Sequence, residues 1–180
     1  MLFRSCTGTL ISQLLHDAGV PQELFVLIIG GGKVGEELLK LPLDGVFFTG
    51  SYATGKKINE QVASKLTKVQ LELGGKDPVY VCEDVDIKMA ASSLADGAFY
   101  NNGQSCCAVE RIYVHQAIYD SFVESFVSEV KNFVIGDPLS EKTYIGPLTR
   151  SAQIEVLENQ IKDALARGAK VLTGGKKINR

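Results

Sequence analysis

The feature that most constrains the fold is a glycine-led turn between a short apolar run and an amphipathic segment. The run Gly45–Thr49 (GVFFT) predicts a buried strand, Gly50 ends it, and helical spacing continues from about Tyr52 to Ser64. The next segment, Lys68–Leu73 (KVQLEL), alternates apolar and polar residues, which is the period of a strand. A strand, a helix and a strand in this order predict parallel strands joined by a right-handed crossover.

The alternation of helix and strand extends upstream. Apolar spacing over Gly8–Ala18 predicts a helix, the continuous apolar run Leu24–Ile29 predicts a strand buried on both faces, and Lys33–Leu39 predicts a short helix. The pattern as a whole indicates an α/β fold built on a doubly wound parallel sheet.

After the pair Gly74-Gly75 the pattern restarts, and a length of 180 residues suits one compact domain or two small ones. The elements predicted after this pair are strand Val79–Cys82, helix Asp86–Tyr100 with Asp86 as N-cap, strand Arg111–Val114, helix Ala117–Phe133 with Ile118, Phe122, Phe126 and Val130 on one face, loop Gly136–Leu148, helix Thr149–Arg167 and strand Lys170–Leu172.

Composition excludes several classes of function. The net charge is -2 and hydrophobic residues make up 45% of the chain, so nothing favours nucleic acid or a membrane as a partner. The cysteines Cys6, Cys82, Cys106 and Cys107 show no zinc-site spacing, so no metal site is predicted, and reduced thiols in the cytoplasm are expected. Met1–Cys6 lacks a signal-peptide core but is compatible with a short basic targeting stub.

The turn from Gly50 to Gly55 (GSYATG) is the first candidate site. Glycines between a strand and a helix let main-chain N–H groups approach phosphate oxygens, which the helix N-terminus also favours. The spacing is neither the usual dinucleotide fingerprint nor a P-loop, because Lys56-Lys57 follow Gly55 where a P-loop has Lys then Ser or Thr. A tight turn that needs glycine only for packing is the competing interpretation.

Glu72 is the second candidate, at the end of the apolar strand and before Gly74-Gly75. The carboxyl ends of parallel strands are where ligands bind, and partial burial there would raise the pKa of Glu72 and suit it to act as a general base. The alternative is a surface glutamate paired with Lys76 or Lys68.

The third candidate is the loop Gly103-Gln104-Ser105-Cys106-Cys107-Ala108, between a predicted helix and a predicted strand. A thiol on a glycine-led loop can be exposed and act as a nucleophile if its thiolate is stabilised. The alternative is a pair of buried structural cysteines. A catalytic pair of Cys106 with His115 is a further possibility, although His16 and His115 fit surface or strand-end positions better.

Taken together and in this order, the three motifs closely resemble the aldehyde dehydrogenase superfamily over Gly45 to Arg111, and less specifically over nearly the whole chain. The residues that carry the resemblance are Phe48-Thr49-Gly50-Ser51 through Gly55, Leu71-Glu72-Leu73-Gly74-Gly75-Lys76 and Gly103-Gln104-Ser105-Cys106. The fold implied is part of a Rossmann-like NAD(P)-binding domain in residues 1–73 followed by part of the α/β catalytic domain in residues 74–180, both truncated.

The resemblance implies that Cys106 attacks an aldehyde carbonyl to give a thiohemiacetal, with its own main-chain N–H stabilising the oxyanion. Hydride would then pass to NAD or NADP. Glu72 would activate the water that hydrolyses the thioester to a carboxylic acid, since members that transfer the acyl group to coenzyme A commonly lack this glutamate. Cys107 would be structural.

The cofactor-binding residues implied by the resemblance lie in the turn and just after the last strand of the first domain. They are Gly50, Ser51, Thr54 and Gly55 around the pyrophosphate, and Leu73 and Gly74 beside the nicotinamide.

The chain also departs from the family pattern. The family's oxyanion asparagine and ribose-binding lysine precede the region matched here, with Met1–Cys6 where the lysine-bearing strand should end, and a second cofactor-contacting glutamate would fall after Arg180. We therefore expect the chain tested by itself to be a poor enzyme or inactive. The alternatives are a non-catalytic remnant that associates with longer paralogues, or forms a homo-oligomer, and a thiol redox module that uses Cys106.

Overall fold

A computed structural model describes residues 3–178 of the chain. The chain divides into two compact units, Met1–Leu73 and Gly74–Arg180. Each unit is a separate α/β body and is described by itself. The predicted targeting stub and strand end at Met1–Cys6 lie partly outside the described residues, and the part that is described, from Phe3, is helical.

The first unit contains three helices and two strands over its described residues. They are α1 Phe3–Asp17, α2 Gly32–Leu38, β1 Gly45–Gly50, α3 Tyr52–Val62 and β2 Lys68–Leu73, with 3-10 turns at Gln22–Leu24 and Ala63–Lys65. The helices expected near residues 8–18, 33–39 and 52–64 are confirmed, as are both strands that flank α3.

The strands β1 and β2 pair in parallel, from Gly45 opposite Lys68 to Gly50 opposite Leu73, and α3 is the crossover between them. This pairing confirms the predicted α/β class. The core of the unit lies under α3, where Val62 is 1% exposed and Ile58 and Leu39 are also buried. The burial of β2 alternates residue by residue, as its sequence predicts.

The predicted buried strand Leu24–Ile29 is wrong. Leu24 belongs to a 3-10 turn, and Val26 and Ile29 are 67% and 59% exposed. Phe25 does adopt extended backbone angles, but a strand also needs a neighbour that accepts its hydrogen bonds, and in the described part of the chain β1 pairs only with β2. The strand β1 is likewise only partly buried, because Phe47 is 86% exposed.

The end of α2 is held by a lysine from the 3-10 turn after α3. The Lys65 Nζ donates to three successive carbonyl oxygens, those of Leu39 at 3.0 Å, Lys40 at 2.8 Å and Leu41 at 3.2 Å. A helix C-terminus leaves carbonyls unpaired and carries partial negative charge, so an ammonium group there stabilises it. Lys65 therefore ties the α2 end to the end of the crossover helix.

The second unit repeats the α/β pattern. Its elements over the described residues are β3 Asp77–Val81, α4 Ile87–Phe99, β4 Val109–Val114, α5 Tyr119–Asn132 and α6 Ala152–Ala166, with 3-10 turns at Tyr100–Gly103 and Gln116–Ile118. β3 and β4 are parallel, with α4 as their crossover. The core joins β3 to α4 and α5 through Val81, Ala91 and Phe122.

Two local predictions for this unit are confirmed. Asp86 is the N-cap of α4, since its Oδ1 accepts a hydrogen bond of 3.0 Å from the Met89 N–H. The apolar face of α5 points into the core, where Phe122 is 2% exposed and Ile118 and Phe126 pack beside it. The amphipathic period therefore places this helix correctly.

The predicted strand Lys170–Leu172 is wrong, because that segment has no strand and Val171 and Leu172 are about half exposed. The loop expected at Gly136–Leu148 is confirmed, although one isolated bridge joins Ile135 to Ile145. Within residues 3–178, none of the helices has both the length and the apolar character that a membrane crossing requires.

The burial of Phe122 predicts a large loss of stability on truncation. We expect Phe122→Ala to lower the free energy of unfolding by about 3–5 kcal/mol, because it removes buried apolar surface and leaves a cavity. Equilibrium urea unfolding followed by circular dichroism measures the change. The control is Phe47→Ala at the 86% exposed position, where we expect a change within about 0.5 kcal/mol. A comparable loss in both variants would contradict this assignment of the core.

Candidate active site

The turn between β1 and α3 is organised by Ser51, the N-cap of α3. Its Oγ accepts a hydrogen bond of 3.3 Å from the Thr54 N–H and lies 3.0 Å from the Thr54 Oγ1. The Gly55 N–H donates to the Ser51 carbonyl at 2.9 Å, which closes the first turn of the helix. The side chain that starts the helix is therefore the serine of the predicted phosphate-binding turn.

Gly55 is closely packed within the first unit. It is buried against β2, and a Cβ added to it would lie 2.8 Å from the Leu73 Cδ2. The strand register puts Gly50 directly opposite Leu73. The structure thus brings Gly50, Ser51, Thr54, Gly55 and Leu73 together at the carboxyl ends of β1 and β2. Gly74, the sixth predicted cofactor residue, belongs to the second unit.

The residues of this turn fit a phosphate-bearing ligand. The first N–H groups of a helix have no partner inside the helix, and Ser51 caps only that of Thr54. Gly50 and Ser51 are exposed, so a ligand can reach the main chain there. The packing interpretation also holds at Gly55, and the two interpretations are compatible because different residues of the turn serve them.

Glu72 lies near the end of β2, opposite Thr49 of β1. Its side chain is exposed, and its Oε1 accepts a hydrogen bond of 2.9 Å from the Gln70 Nε2. The expected partial burial is therefore wrong for the described chain, because the polar face of β2 has no element packed over it. The alternative pairing with Lys76 is also wrong, since the Lys76 ammonium binds Glu110.

The cysteine loop follows α4 through a turn with unusual backbone angles. Asn101 and Asn102 have φ of 50° and 59°, and Gly103 has φ of 67°. Left-handed residues other than glycine cost about 1–3 kcal/mol each, and asparagine tolerates this conformation better than most residues. The turn ends at Gln104, and both Cys106 and Cys107 are exposed. The alternative of two buried structural cysteines is wrong.

The loop lies at the amino ends of β3 and β4. Cys106 precedes β4, and Gly75 precedes β3, whose first residue Asp77 pairs with Val109. A Cβ added to Gly75 would lie 3.9 Å from the Cys106 carbonyl oxygen and 2.9 Å from the Asp77 Oδ1. Gly75 of the glutamate motif therefore lies beside the main chain of Cys106.

Cys107 has an environment that the sequence interpretation missed. Its Sγ lies 3.3 Å from the Ser105 Oγ and 3.5 Å from the Tyr100 hydroxyl, which itself donates to Ser105. Hydrogen bonding with Ser105, and then with Tyr100, lowers the pKa of the Cys107 thiol below its ordinary value. The Cys107 thiol is exposed, and the structural role that the resemblance implies for it stays a prediction. The sequence signal for this environment was the hydroxyl of Ser105, two residues before Cys107.

His115 is engaged away from the thiols. It follows β4, its Nδ1 accepts a hydrogen bond of 3.3 Å from the Ala117 N–H, and the same atom lies 3.6 Å from the Glu83 Oε2. His16 lies at the end of α1, with its Nδ1 2.9 Å from the Val20 carbonyl oxygen. These positions agree with the surface and strand-end interpretation rather than with a Cys–His pair. Over residues 3–178, no group of His, Cys, Asp and Glu residues is arranged to hold a metal ion.

The hydroxyl beside Cys107 predicts how fast this thiol reacts. We expect Ser105→Ala to slow alkylation of Cys107 by iodoacetamide several-fold at neutral pH, because the thiolate is the nucleophile and its first stabilising donor is gone. Mass spectrometry of the alkylated peptides measures the rate. The exposed thiol of Cys82, in the same samples, is the control and should react at an unchanged rate. An unchanged rate at Cys107 would show that Ser105 does not stabilise its thiolate.

Comparison with known proteins gives a consistent result. The model of the aldehyde dehydrogenase family matches residues 3–180. An aldehyde dehydrogenase of Davidiella tassiana is 41% identical over 173 residues, which are 94% of this chain and 35% of that protein. The peroxisomal aminoaldehyde dehydrogenase 1 of Pisum sativum is 38% identical over 96% of this chain and 35% of its own length. The chain therefore spans about a third of the length of these relatives.

Solved structures agree. The NAD-dependent aldehyde dehydrogenase from Sinorhizobium meliloti superimposes with a TM-score of 0.94 at 35% identity, covering 97% of this chain and 35% of that one. A cysteine-to-alanine variant of aldehyde dehydrogenase C from Pseudomonas syringae, in complex with NAD+ and octanal, superimposes with a TM-score of 0.90 at 33% identity, covering 94% of this chain and 35% of that one. By its family match, its sequence identity and its fold, the chain belongs to the aldehyde dehydrogenase family.

Proposed function

We propose that the protein oxidises an aldehyde to a carboxylic acid with NAD+ or NADP+, through a covalent intermediate on Cys106. The observation that carries the proposal is the exposed Cys106 thiol on the turn led by Gly103, in a chain of the aldehyde dehydrogenase family. An exposed thiolate is a good nucleophile towards a carbonyl carbon, and sulfur is a good leaving group when the thioester is later hydrolysed.

In this reaction the main chain of the cysteine turn has a second role. The Cys106 Sγ attacks the carbonyl carbon, and the carbonyl oxygen gains negative charge as the thiohemiacetal forms. The proposed donor to that oxygen is the N–H of Cys106, in the way that N–H donors stabilise oxyanions in acyl transfer.

The cofactor is assigned to the turn of the first unit, with Gly50, Ser51, Thr54 and Gly55 around the pyrophosphate and Leu73 and Gly74 next to the nicotinamide. When bound there, NAD(P)+ would supply the acceptor for the hydride that leaves the thiohemiacetal carbon. Relatives are named for each cofactor: the enzyme from Sinorhizobium meliloti for NAD, and the D-glyceraldehyde dehydrogenase of Picrophilus torridus for NADP(+).

Glu72 is proposed as the general base for hydrolysis of the thioester. Its carboxylate is exposed and accepts a hydrogen bond from Gln70, so it is available to take a proton from water. Hydrolysis rather than transfer to coenzyme A is the proposed fate of the acyl group because the glutamate is present. The four cysteines, all free and exposed, suit a reducing compartment, and we propose the cytoplasm.

The nucleophile is tested by substitution of each neighbouring cysteine. We expect Cys106→Ala to reduce NAD(P)H formation from short aliphatic and aromatic aldehydes by at least about 10³-fold, because no covalent intermediate can form. The matched control is Cys107→Ala, which should retain most of the activity. Absorbance at the reduced nicotinamide band measures both. Loss of activity only in the Cys107 variant would show that the nucleophile is Cys107 and not Cys106.

The base is tested by the time course of the reaction. In Glu72→Gln the first hydride transfer should survive, whereas hydrolysis should slow by about 10²–10⁴-fold because no carboxylate activates the water. A rapid burst of NAD(P)H followed by a slow steady state is the expected record in stopped-flow absorbance, with the acylated Cys106 peptide found by mass spectrometry. The control Glu60→Gln, on an exposed face of α3, should behave as the unsubstituted protein. Absence of the burst together with normal turnover would remove Glu72 from the mechanism.

A second candidate is a binding role, in which the chain associates with longer aldehyde dehydrogenase subunits or with copies of itself. The observation that favours it is the exposure of large apolar side chains in the first unit, among them Leu24 at 75% and Phe47 at 86%. Size-exclusion chromatography with light scattering, with and without a longer paralogue, separates the candidates. Folded protein that oxidises no aldehyde and elutes with the larger subunit would favour the binding role.

A further inference from the structure

The turn that carries Cys106 is in a conformation that most sequences avoid. Three consecutive residues, Asn101, Asn102 and Gly103, have positive φ. Each asparagine could in principle relax to the ordinary right-handed region of backbone angles. That change would displace Cys106, which lies a few residues further along the chain. Something outside the local backbone must therefore keep the turn in place.

Part of the restraint is internal to the turn. The Asn101 Nδ2 donates to the Gln104 carbonyl oxygen at 3.1 Å, and the Gln104 Nε2 donates back to the Asn101 carbonyl oxygen at 3.0 Å. The Gln104 N–H also donates to the Asn101 carbonyl at 3.0 Å. The two side chains therefore close the turn reciprocally and leave the Gln104 Oε1 free for a partner elsewhere.

That partner lies 45 residues away along the chain. The Gln104 Oε1 accepts a hydrogen bond of 3.1 Å from the Thr149 N–H, and the Asn102 Nδ2 donates to the Pro147 carbonyl oxygen at 2.8 Å. Both bonds use main-chain groups of the segment just before α6. The cysteine turn is thus fastened at two points, Asn102 and Gln104, to one short stretch of the Pro147–Thr149 loop.

The loop that receives these bonds is itself anchored. The Tyr144 hydroxyl donates to the Asp96 carboxylate of α4, and the Tyr144 ring stacks on Phe133 with 4.4 Å between centroids. The Gly136 N–H donates to the Ile145 carbonyl at 3.0 Å. Burial and the neighbouring carboxylate of Asp96 raise the pKa of Tyr144 to about 12, so its hydroxyl remains a donor at neutral pH.

We propose that Gln104 and Asn102 are positioning residues that clamp the left-handed turn to the Pro147–Thr149 loop and so fix where Cys106 presents its thiol to the aldehyde. The effect on catalysis rests on the proposed function. The clamp itself, meaning the hydrogen bonds from Gln104 and Asn102 to the Pro147–Thr149 loop, concerns only the conformation of the turn. Neither side chain touches the reacting atoms in this role. Their effect is exerted through the main chain between Gln104 and Cys106, where displacements of about 1 Å cost about 10²-fold in rate.

The principal test compares Gln104→Met with Gln116→Met in the full chain. Methionine keeps the length of the side chain and removes both hydrogen bonds of the Gln104 side-chain amide. The control position, Gln116, is an exposed glutamine in the 3-10 turn after β4. We expect Gln104→Met alone to speed deuterium exchange in peptides spanning residues 101–108 and to lower kcat by about 10–100-fold with a smaller change in KM. Equal exchange in that peptide for both variants would overturn the clamp.

A second variant separates positioning from simple support of the fold. Asn102→Gly removes the bond to Pro147 but relieves the left-handed strain, so its Tm should change little. If the bond only supports the fold, kcat in this variant should be normal. The clamp predicts the same Tm behaviour together with faster exchange over residues 101–108 and a lower kcat. Normal exchange and normal kcat would overturn it.

The test also distinguishes failure of the clamp from failure of the proposed function. If the unsubstituted chain reduces no NAD(P)+ with any aldehyde, the proposed activity fails for this chain, and the exchange measurement alone decides the clamp. Faster exchange in both Gln104→Met and Asn102→Gly, with the Gln116→Met control unchanged, then supports it. Unchanged exchange in both refutes it.

Discussion

Parallel pairing of β1 with β2 is the constraint on which the rest of the first unit depends. Parallel strands cannot be joined by a hairpin, so the chain returns through α3, and the carboxyl ends of both strands meet at one edge. The turn after β1 and the last residues of β2 therefore become neighbours, and a side chain at Gly55 would displace the Leu73 methyl groups packed beside it. The second unit obeys the same rule with β3, α4 and β4.

The two units differ in which edge of the strands carries the candidate site. In the first unit the proposed phosphate-binding turn and Glu72 lie at the carboxyl ends of the parallel strands, where ligands commonly bind. In the second, the cysteine turn precedes β4 and lies beside Gly75, which precedes β3, so it occupies the amino ends. The topological rule alone directs attention to the other edge, so the proposal of Cys106 as nucleophile depends on the linear motif around it.

Much of the fold was predictable because local patterns determine it. Helical periodicity placed α3, α4 and α5, alternation placed β2, and Asp86 marked the start of α4 through its cap. The strands predicted at Leu24–Ile29 and Lys170–Leu172 were wrong because a strand forms only when a neighbouring strand accepts its hydrogen bonds. The sequence of one segment does not show whether such a neighbour is adjacent. For the site, the exposed thiol of Cys106 was predictable. The contacts of Cys107 and the bonds from Asn102 and Gln104 to a distant loop were not, since they depend on tertiary geometry.

The ammonium group of Lys65 has a geometry that no other side chain reproduces. Its three protons point in three directions from one nitrogen, and the nitrogen donates to the carbonyl oxygens of Leu39, Lys40 and Leu41. A guanidinium is planar and directs its protons outward in a fork, so arginine, usually treated as an equivalent residue, does not fit three converging acceptors. Acetylation would leave a single proton on a neutral nitrogen. The end of α2 is therefore sensitive to a chemical change that elsewhere on a protein surface would pass without effect.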